Sequence, residues 1–468
     1  MSTHTSAELK WAISEIDKAL DVVDLLVVLL EICRRHAKEV VDAAQGSKTR
    51  RQLRQESAVL AEESASAFES IGLSTTTKEF TKVRLERTAN LAVTARALAL
   101  AIDEAVRRRD PKAYIKLCAK WQSPRELTGG DPYPTPSVNL STMYGDVAFS
   151  RRPRRSSATA FDRVDGLALW PSSTNQPLSV IYDTDAGAYL DSALARGGPV
   201  SILAVLPNGD FEAEFRPDEV QTDTDSKQEW RGRFFGMRPK NAVNQDKIFE
   251  KALREASALD VDIMVTPECS STTGTVQMIR DALKKVGDRG PRVVIAGGLH
   301  VQPTPGERRN RMSTVYATPN PPVFEHDKIG EYIASGAEED IDRSTKMRIH
   351  AGINWSMIPL ICADLLDDAV VDAVGDLCPR LVIVPSMSSK TGDFEMSIGA
   401  VIRKSQALAV VVNGPPHWPG GVTVPTVVIG RPLAKSWIGA LQIPASVKTP
   451  YAALIYSDES RTQFVSLK

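Results

Sequence analysis

From about residue 240 onward, short runs of consecutive apolar residues alternate with stretches of helical periodicity. The apolar runs are four to six residues long, which is too short for a buried helix and suits a strand buried on both faces. The pattern predicts helices over 242–259, 276–286 and 396–408, and strands over 261–266, 293–296, 356–361, 381–384 and 409–412. Such alternation predicts a layered α/β domain in which helices cover β-sheets.

The first 120 residues have a different pattern. Apolar residues from Ile13 to Leu30 recur at alternating intervals of three and four, which predicts one helix with a coiled-coil-like seam. The stretches 49–70 and 77–109 are also predicted to be helical. We therefore predict an all-α N-terminal domain over residues 1–120, either a bundle or a long hairpin. Two roles stay open for it, packing or oligomerisation and the binding of a protein partner.

A linker is predicted between these two regions. Residues 121–160 are rich in Pro, Ser, Thr, Gly and Arg, a composition typical of exposed loops. Short strands are predicted at 167–170, 178–182 and 200–206. We predict that residues 161–468 form the second domain, with a core at 230–440. The segment 161–229 is either a lead-in to that core or a small β region.

The composition of the chain excludes several classes of protein. Its 468 residues are 42% hydrophobic and 25% charged, with a formal net charge of -1, so we expect a globular chain that does not bind nucleic acid. Five scattered cysteines are too few for a disulfide framework and favour a reducing, cytoplasmic setting. The apolar stretch Ala19–Cys33 contains three acidic residues and is too short to cross a bilayer. We expect neither a membrane anchor nor a secretory signal.

A basic cluster lies inside the predicted linker and has no aromatic residues interleaved with it. Its members are Arg151, Arg152, Arg154 and Arg155. A solvated loop explains such a cluster better than contact with phosphate groups, so no function is assigned to it.

Three residues at the ends of predicted strands could perform chemistry together. Glu268 ends "VDIMVTPE", Lys328 closes a predicted β-hairpin, and Cys362 ends "SMIPLIC". Strand ends are where open α/β folds expose reactive groups. Glu268 is suited to act as the base for a Cys362 thiol, since a free thiol is scarcely ionised at neutral pH. Lys328 and the backbone N–H of Ala363 could stabilise an oxyanion.

The same residues resemble the Glu-Lys-Cys triad of the nitrilase, or carbon–nitrogen hydrolase, superfamily. Pro267-Glu268, Asp327-Lys328 and Ile361-Cys362-Ala363-Asp364 stand in the family's chain order. The flanking "VVIAGGLH" and "LVIVPSMSS" are also similar to family elements. The resemblance covers about 210 of the 468 residues. The sequence departs from the family pattern in two places. The residues after Asp364 differ, and Gln406 stands where the family has a glutamate.

The resemblance implies a four-layer αββα sandwich, a homodimer or higher homo-oligomer, and no cofactor. It implies hydrolysis of a non-peptide amide, an N-carbamoyl compound or a nitrile through a covalent intermediate on Cys362, with transfer of the acyl group to another acceptor as an open alternative. Family members often use a second glutamate to position the substrate and the lysine. Glu338 is the preferred candidate because of its spacing from Cys362, with Glu339 and Glu331 as alternatives.

Neighbouring residues and a second class of function offer alternatives to this interpretation. Cys269 is expected to be structural, since neighbours on an extended strand face opposite ways. The histidines His300, His326 and His350 lack metal-ligand spacing, so no metal site is expected. A different class of function also stays open, in which the second domain is a nitrilase-like scaffold or sensor with weak or no hydrolase activity. The helices of the N-terminal domain would then bind a partner.

Overall fold

The computed structural model describes most of the second half of the chain and parts of the first. The described residues are 3–40, 55, 75–109, 125–127, 133–136, 167–170, 178–196, 199–221, 232–334, 337–352, 354–377, 379–405, 407–431, 437–441, 449–457 and 462–467. Most of the predicted helix at 49–70, the arginine cluster, Cys118 and Cys378 lie outside these ranges.

Helices are numbered here in chain order. They are α1 (Thr3–Lys18), α2 (Val22–Arg35), α3 (Thr75–Glu86), α4 (Leu91–Arg109), α5 (Thr184–Ala193), α6 (Phe211–Glu214), α7 (Ala242–Ala258), α8 (Thr275–Val286), α9 (Asp368–Leu377) and α10 (Gly392–Ser405). Short 3-10 helices cover Gly287–Arg289, Cys362–Leu366 and Pro419–Gly421.

The strands are numbered in the same way. They are β1 (Arg125–Leu127), β2 (Tyr133–Pro136), β3 (Leu167–Trp170), β4 (Ser179–Asp183), β5 (Ser201–Leu206), β6 (Phe215–Arg216), β7 (Glu219–Gln221), β8 (Gly232–Phe235), β9 (Arg238–Pro239), β10 (Ile263–Val265), β11 (Val293–Val301), β12 (Arg309–Tyr316), β13 (Val323–Asp327), β14 (Ile333–Ala334), β15 (Ala337–Glu339), β16 (Lys346–Ala351), β17 (Ser356–Pro359), β18 (Leu381–Ser386), β19 (Leu408–Asn413), β20 (His417–Trp418), β21 (Val422–Thr423), β22 (Val427–Arg431), β23 (Trp437–Leu441), β24 (Tyr451–Tyr456) and β25 (Thr462–Ser466).

Two large mixed sheets dominate this mixed α/β structure. One has eight strands in the order β1-β4-β16-β17-β18-β19-β22-β23, and the other has seven in the order β13-β12-β11-β10-β5-β24-β25. A smaller sheet has the order β14-β15-β8-β7. Parallel pairing joins β17, β18 and β19 in the first sheet and β5, β10 and β11 in the second. The ends of these strands carry the residues singled out from the sequence.

Alternating residues of β5 connect the two main cores of this region. Ile202 and Ala204 belong to a core that also contains residues of the eight-stranded sheet. Leu203 and Val205 belong to a second core with α7 and α8. Successive side chains of a strand point to opposite faces, so the seven-stranded sheet has helices on one face and shares the core of the eight-stranded sheet on the other.

The two sheets extend beyond the predicted core at 230–440. β4 and β5 come from the segment 161–229 and lie inside the eight- and seven-stranded sheets, respectively. Near the end of the chain, β24 pairs with β5 along its whole length. The strands β4, β5 and β24 are therefore integral parts of the sheets. Two short pieces of the predicted linker are also strands, since β1 pairs with β4 and β2 with β3.

The single helix predicted over Ile13–Leu30 is wrong, because the chain forms two helices there. The break falls at 19–21, where Leu20 is 81% exposed. Asp21 caps α2 by accepting hydrogen bonds from the N–H groups of Val23 and Asp24. The Asp24 side chain accepts in return from the Asp21 N–H, which forms a capping box. A cap of this kind begins a new helix, which an unbroken apolar seam does not reveal.

The described helices of the N-terminal region share one apolar core. Residues of α1, α2, α3 and α4 all contribute to it, including Ile16, Leu26, Leu85 and Leu98. The segment predicted as one helix over 77–109 is divided into α3 and α4. Within the part of the chain that is described, no helix combines the length and the apolar character needed to span a bilayer.

Candidate active site

Glu268 lies just beyond the end of β10 and is buried, with 3% of its surface exposed. Its Oε1 accepts hydrogen bonds from Lys328 Nζ at 2.7 Å and from Asn310 Nδ2 at 2.9 Å, and its Oε2 accepts from the Met387 N–H at 3.0 Å. Burial raises the pKa of Glu268, and the charge of Glu339 raises it further against the opposing effect of Lys328. This carboxylate is therefore a stronger base than an exposed one.

Lys328 follows directly after β13, at the close of the hairpin that β12 and β13 form. Its ammonium donates to Glu268 Oε1 at 2.7 Å and to Glu339 Oε2 at 2.6 Å. Burial alone would lower the pKa of Lys328, but the charges of Glu268 and Glu339 outweigh it and hold the pKa well above the usual value. The side chain is a fixed, buried cation between two carboxyl groups.

Cys362 begins the 3-10 helix that follows β17 and has a left-handed backbone conformation, with φ of 44°. Non-glycine residues adopt this region rarely, and such strain often marks functional positions. Ser386 Oγ donates to Cys362 Sγ at 3.3 Å. Burial, together with the charge of Glu268, raises the pKa of Cys362 to about 12. The resting group is a thiol and needs a base before it can act as a nucleophile.

The structure separates the three glutamates proposed for the fourth position. Glu339 is buried and accepts from Lys328 Nζ, whereas the side chain of Glu338 is 43% exposed and pairs with Arg233. The third, Glu331, has a side chain 24% exposed and lies 3.6 Å from Arg343. The preference for Glu338 is thus corrected to Glu339, because alternate residues of β15 face opposite ways and only one of the two adjacent glutamates can face Lys328.

Glu339 has an environment different from that of Glu268. Burial opposes its ionisation, but Lys328 and a hydrogen bond from His300 outweigh it and lower the pKa of Glu339 well below the usual range. Two carboxyl groups on one lysine thus have pKa values shifted in opposite directions. The surroundings thus favour the charged form of Glu339 and the protonated form of Glu268.

His300 and Asn310 complete the polar network, and no local pattern in the sequence marks their positions. His300 Nδ1 accepts from the Met237 N–H at 2.9 Å, so Nε2 carries the ring proton and donates to Glu339 Oε1 at 2.8 Å. Asn310 Nδ2 donates to both Glu268 and Glu339. These contacts hold both carboxyl groups in place. The other two histidines bond elsewhere: His326 contacts Asp364, and His350 contacts Tyr316.

Asp364 ties the Lys328 loop to the Cys362 turn. Its Oδ1 accepts from the N–H groups of Ile329 and Gly330 at 2.7 and 2.8 Å. Its Oδ2 accepts from the Ile361 N–H at 2.9 Å and from His326 Nε2 at 3.0 Å. A Cβ at Gly330 would lie 2.8 Å from the backbone oxygen of Ala363, so the two loops approach as closely as a glycine permits.

A pocket of about 490 Å³, its open mouth included, lies over Glu268, Lys328 and Glu339. Cys269 also lines it, contrary to the expectation that it faces away from Glu268. The reason is that β10 ends at Val265 and the backbone of Cys269 is left-handed, with φ of 56°, so strand alternation no longer applies. Burial and the neighbouring carboxylates raise the pKa of Cys269 well above its usual value. It is an uncharged thiol in the pocket wall.

Comparison with known proteins gives structural neighbours only, since no family description and no curated protein matches the sequence. The chain is similar to an amidase from Nesterenkonia sp., at 14% identity and a TM-score of 0.40, over 56% of this chain and 93% of the amidase. A mutant of the Nesterenkonia AN1 amidase, described as from the nitrilase superfamily, matches at 14% identity and a TM-score of 0.39. The match covers 55% of this chain and 90% of the mutant.

A further neighbour is a mutant of the same amidase that carries the acetamide moiety of fluoroacetamide on its active-site cysteine. It matches at 14% identity with a TM-score of 0.40, over 56% of this chain and 93% of its own. Sequence identities and TM-scores this low carry no argument about function, which has to rest on the chain's own side chains.

Proposed function

We propose that this protein is a carbon–nitrogen hydrolase of the nitrilase type, acting on a non-peptide amide, an N-carbamoyl compound or a nitrile. The observation that carries the proposal is a buried lysine held between two carboxyl groups, Glu268 and Glu339, whose pKa values are shifted in opposite directions. Such a set provides a base, a fixed cation and a permanent anion, and the base is within hydrogen-bonding reach of the Cys362 thiol.

In the first half of the proposed reaction, Glu268 accepts the proton of Cys362 as Sγ attacks the carbonyl carbon of an amide. A C–S bond forms and the C=O electron pair moves to oxygen. Lys328 Nζ and the Ala363 N–H stabilise that oxyanion. As the intermediate collapses, Glu268 gives its proton to the leaving nitrogen, the C–N bond breaks, and an amine or ammonia departs from a thioester.

In the second half, water attacks the thioester carbon and Glu268 takes a proton from it. The C–S bond breaks, the proton returns to Sγ, and a carboxylic acid leaves. The raised pKa of Glu268 suits both directions of transfer, since a base with a pKa nearer to neutral also serves as an acid. Glu339 keeps Lys328 charged and in place throughout.

The same site argues against a scaffold without activity. Burying several ionised groups costs free energy that hydrogen bonds only partly offset, and apolar residues would stabilise such a core as well or better. A scaffold has no need of a buried lysine, two carboxyl groups and a strained cysteine at one point.

Several properties of the whole chain are part of the proposal. The shared core between the two large sheets and the helices α7 and α8 outside one of them support a four-layer αββα sandwich. The apolar core of α1 to α4 supports an all-α N-terminal domain over residues 1–120, which we assign to oligomerisation or partner binding. Cys362 is a free cysteine and must stay reduced to act as the nucleophile, which supports a reducing, cytoplasmic setting.

Ammonia release from a panel of primary amides and nitriles tests the proposed function. We expect turnover by the full-length chain, loss of at least about 10³-fold in kcat/KM with Cys362→Ala, and no loss with Cys33→Ala. Cys33 is a matched control because it is a buried free thiol in the separate core of α2. Release that is equal in the Cys362→Ala variant and the unaltered protein would contradict the proposal.

A further inference from the structure

The pocket walls away from the reacting groups are apolar. Phe211, Phe234, Met237, Met387 and Trp418 line it, together with the polar groups described above. These side chains come from separate segments, including α6, β8 and the β20–β21 hairpin. Pockets of this composition bind ligands mainly through the burial of apolar surface, with a few polar groups fixing the orientation.

Phe211 and Trp418 form a preformed aromatic wall. Their rings are stacked with centroids 4.4 Å apart and planes 14° from parallel. Trp418 Nε1 donates to the Pro415 oxygen at 2.8 Å, so the indole N–H is already satisfied within the hairpin. Phe211 is buried behind it with 7% exposure. The ring of Trp418 therefore offers an apolar face whose position does not depend on a ligand.

The described residues that line the pocket provide no spare cation for an anionic acyl group. Lys328 is paired with two carboxyl groups and serves the oxyanion of the proposed reaction, and both ring nitrogens of His300 are bonded. Burial raises the pKa of Tyr332, so its hydroxyl remains uncharged. A substrate carboxylate would be desolvated beside Glu268 and Glu339 without a partner, which costs free energy.

We propose that the substrate of this site has an uncharged, apolar acyl group, aromatic or branched aliphatic, with a primary carboxamide or nitrile as its reacting end. The acyl group lies against the Trp418 face while the reacting carbon is held near Cys362. This inference rests on the proposed carbon–nitrogen hydrolase function and narrows its substrate class. It excludes N-carbamoyl amino acids, because their free carboxylate would be buried here without a cationic partner.

A substrate panel on the full-length protein tests the inference directly. The panel contains phenylacetamide and isobutyramide as apolar amides, succinamate as an anionic amide, β-alaninamide as a cationic amide, and acetamide as the minimal amide. We expect kcat/KM for phenylacetamide to exceed that for succinamate by roughly 100-fold or more, the size that unpaired burial of a polar group produces. A preference for succinamate or β-alaninamide would overturn the inference and leave the proposed function standing.

Two variants locate the preference in the aromatic wall. Trp418→Ala is expected to lower kcat/KM for phenylacetamide about tenfold or more, within the range for losing part of an apolar pocket. The kcat/KM for acetamide, which does not reach the Trp418 face, should change by less than about threefold. Tyr189→Ala, at a partly exposed aromatic residue of α5 outside the pocket lining, is the matched control. Equal losses on both amides would contradict the assigned wall.

The two levels of the proposal fail in different ways. If no amide or nitrile in the panel releases ammonia, the proposed function itself fails. If all amides are hydrolysed with similar kcat/KM, only the substrate class fails. Should Trp418→Ala not fold, Trp418→Phe keeps a smaller ring in place, and the panel on the unaltered protein still decides the inference.

Discussion

At the scale of single residues, the central feature is that two buried glutamates on one lysine behave differently. Glu339 accepts four hydrogen bonds, from Lys328, His300, Asn310 and the Tyr332 N–H, which favour its charged form. Glu268 has fewer compensating contacts for its burial, so its pKa is raised. The assignment of base and anion follows from these surroundings, since the side chains are chemically identical.

The roles of the adjacent glutamates can be tested with a matched pair of variants. Glu339→Gln removes the anion that holds Lys328, and we expect kcat/KM to fall by about 10²-fold or more, as when one oxyanion donor is lost. Glu338→Gln changes an exposed carboxylate paired with Arg233, so its kcat/KM should stay within about twofold of the unaltered protein's value. Steady-state kinetics with both variants check this, and a larger loss from Glu338→Gln would restore the original preference.

The pH dependence of kcat/KM follows from the directions of the pKa shifts. Glu268 must be deprotonated to accept the thiol proton, so activity is lost as pH falls through its raised pKa, at a value above the ordinary 4.5. Cys362 stays a thiol up to about pH 12 and Lys328 stays charged well above pH 10.5, so no alkaline loss is expected between pH 7 and 10. A profile rising with thiolate formation near pH 8.5 would contradict this assignment.

The sequence anticipated part of the site at this scale and missed the rest for identifiable reasons. The places of Glu268, Lys328 and Cys362 at the ends of strands or hairpins could be predicted because the apolar runs before them are distinct. The choice between Glu338 and Glu339 could not, since it depends on which face of the short strand β15 meets Lys328. His300 and Asn310 act across the β11–β12 pair, and their contacts depend on register rather than on local pattern.

At the scale of elements, the geometry depends on loops held against each other by Asp364. The Asp364 carboxylate accepts four hydrogen bonds. Two come from N–H groups just after Lys328, one from the Ile361 N–H beside Cys362 and one from the His326 ring on β13. This connection spans both large sheets, because Lys328 follows a strand of one and Cys362 follows a strand of the other. It fixes the separation of the two groups without a covalent link.

A conservative change at Asp364 should weaken this connection. Asp364→Asn replaces an acceptor oxygen with an NH₂ group that faces buried donors, which costs roughly 1–3 kcal/mol of stability. Asp367→Asn is the control, since among the described residues its side chain accepts through Oδ1 alone, from the N–H groups of Ala369 and Val370, and an amide oxygen serves equally well. Thermal denaturation and kcat/KM measure the difference, and equal values for the two variants would contradict the role of Asp364.

Element boundaries show where sequence patterns stop being informative. The helix and strand types in the α/β region were predictable from apolar periodicity, with ends that differ by a few residues, as in α10, which begins at Gly392 and ends at Ser405. The division between α1 and α2 was not predictable, because the apolar seam continues across it while a capping box at Asp21 restarts the helix.

At the scale of the whole molecule, distant parts of the chain complete each large sheet. β5, β24 and β25 join strands of the predicted core in the seven-stranded sheet. Tyr451 and Ile455 of β24 lie fully buried in the core shared by both sheets. The sequence could not reveal this, since antiparallel pairing of β24 with β5 joins positions about 250 residues apart, and only the folded sheet brings them together.

Truncation tests the importance of these terminal strands. Of the described elements, removing residues 458–468 deletes the edge strand β25 together with the buried Leu467, whereas removing residues 449–468 also deletes β24 from beside β5. We expect the longer deletion to cause a much larger fall in the melting temperature or a loss of folded protein, because it uncovers buried apolar surface. Similar melting temperatures for both deletions would show that β24 is dispensable.

The proposed reaction depends on a covalent acyl group on Cys362. The most direct measurement is rapid acid quenching during phenylacetamide turnover, followed by peptide mass spectrometry. We predict the mass of one phenylacetyl group on the peptide that contains Cys362, and no such mass with Cys362→Ala. Turnover with the acyl group on Cys269, or undiminished turnover by Cys362→Ala, would contradict the account.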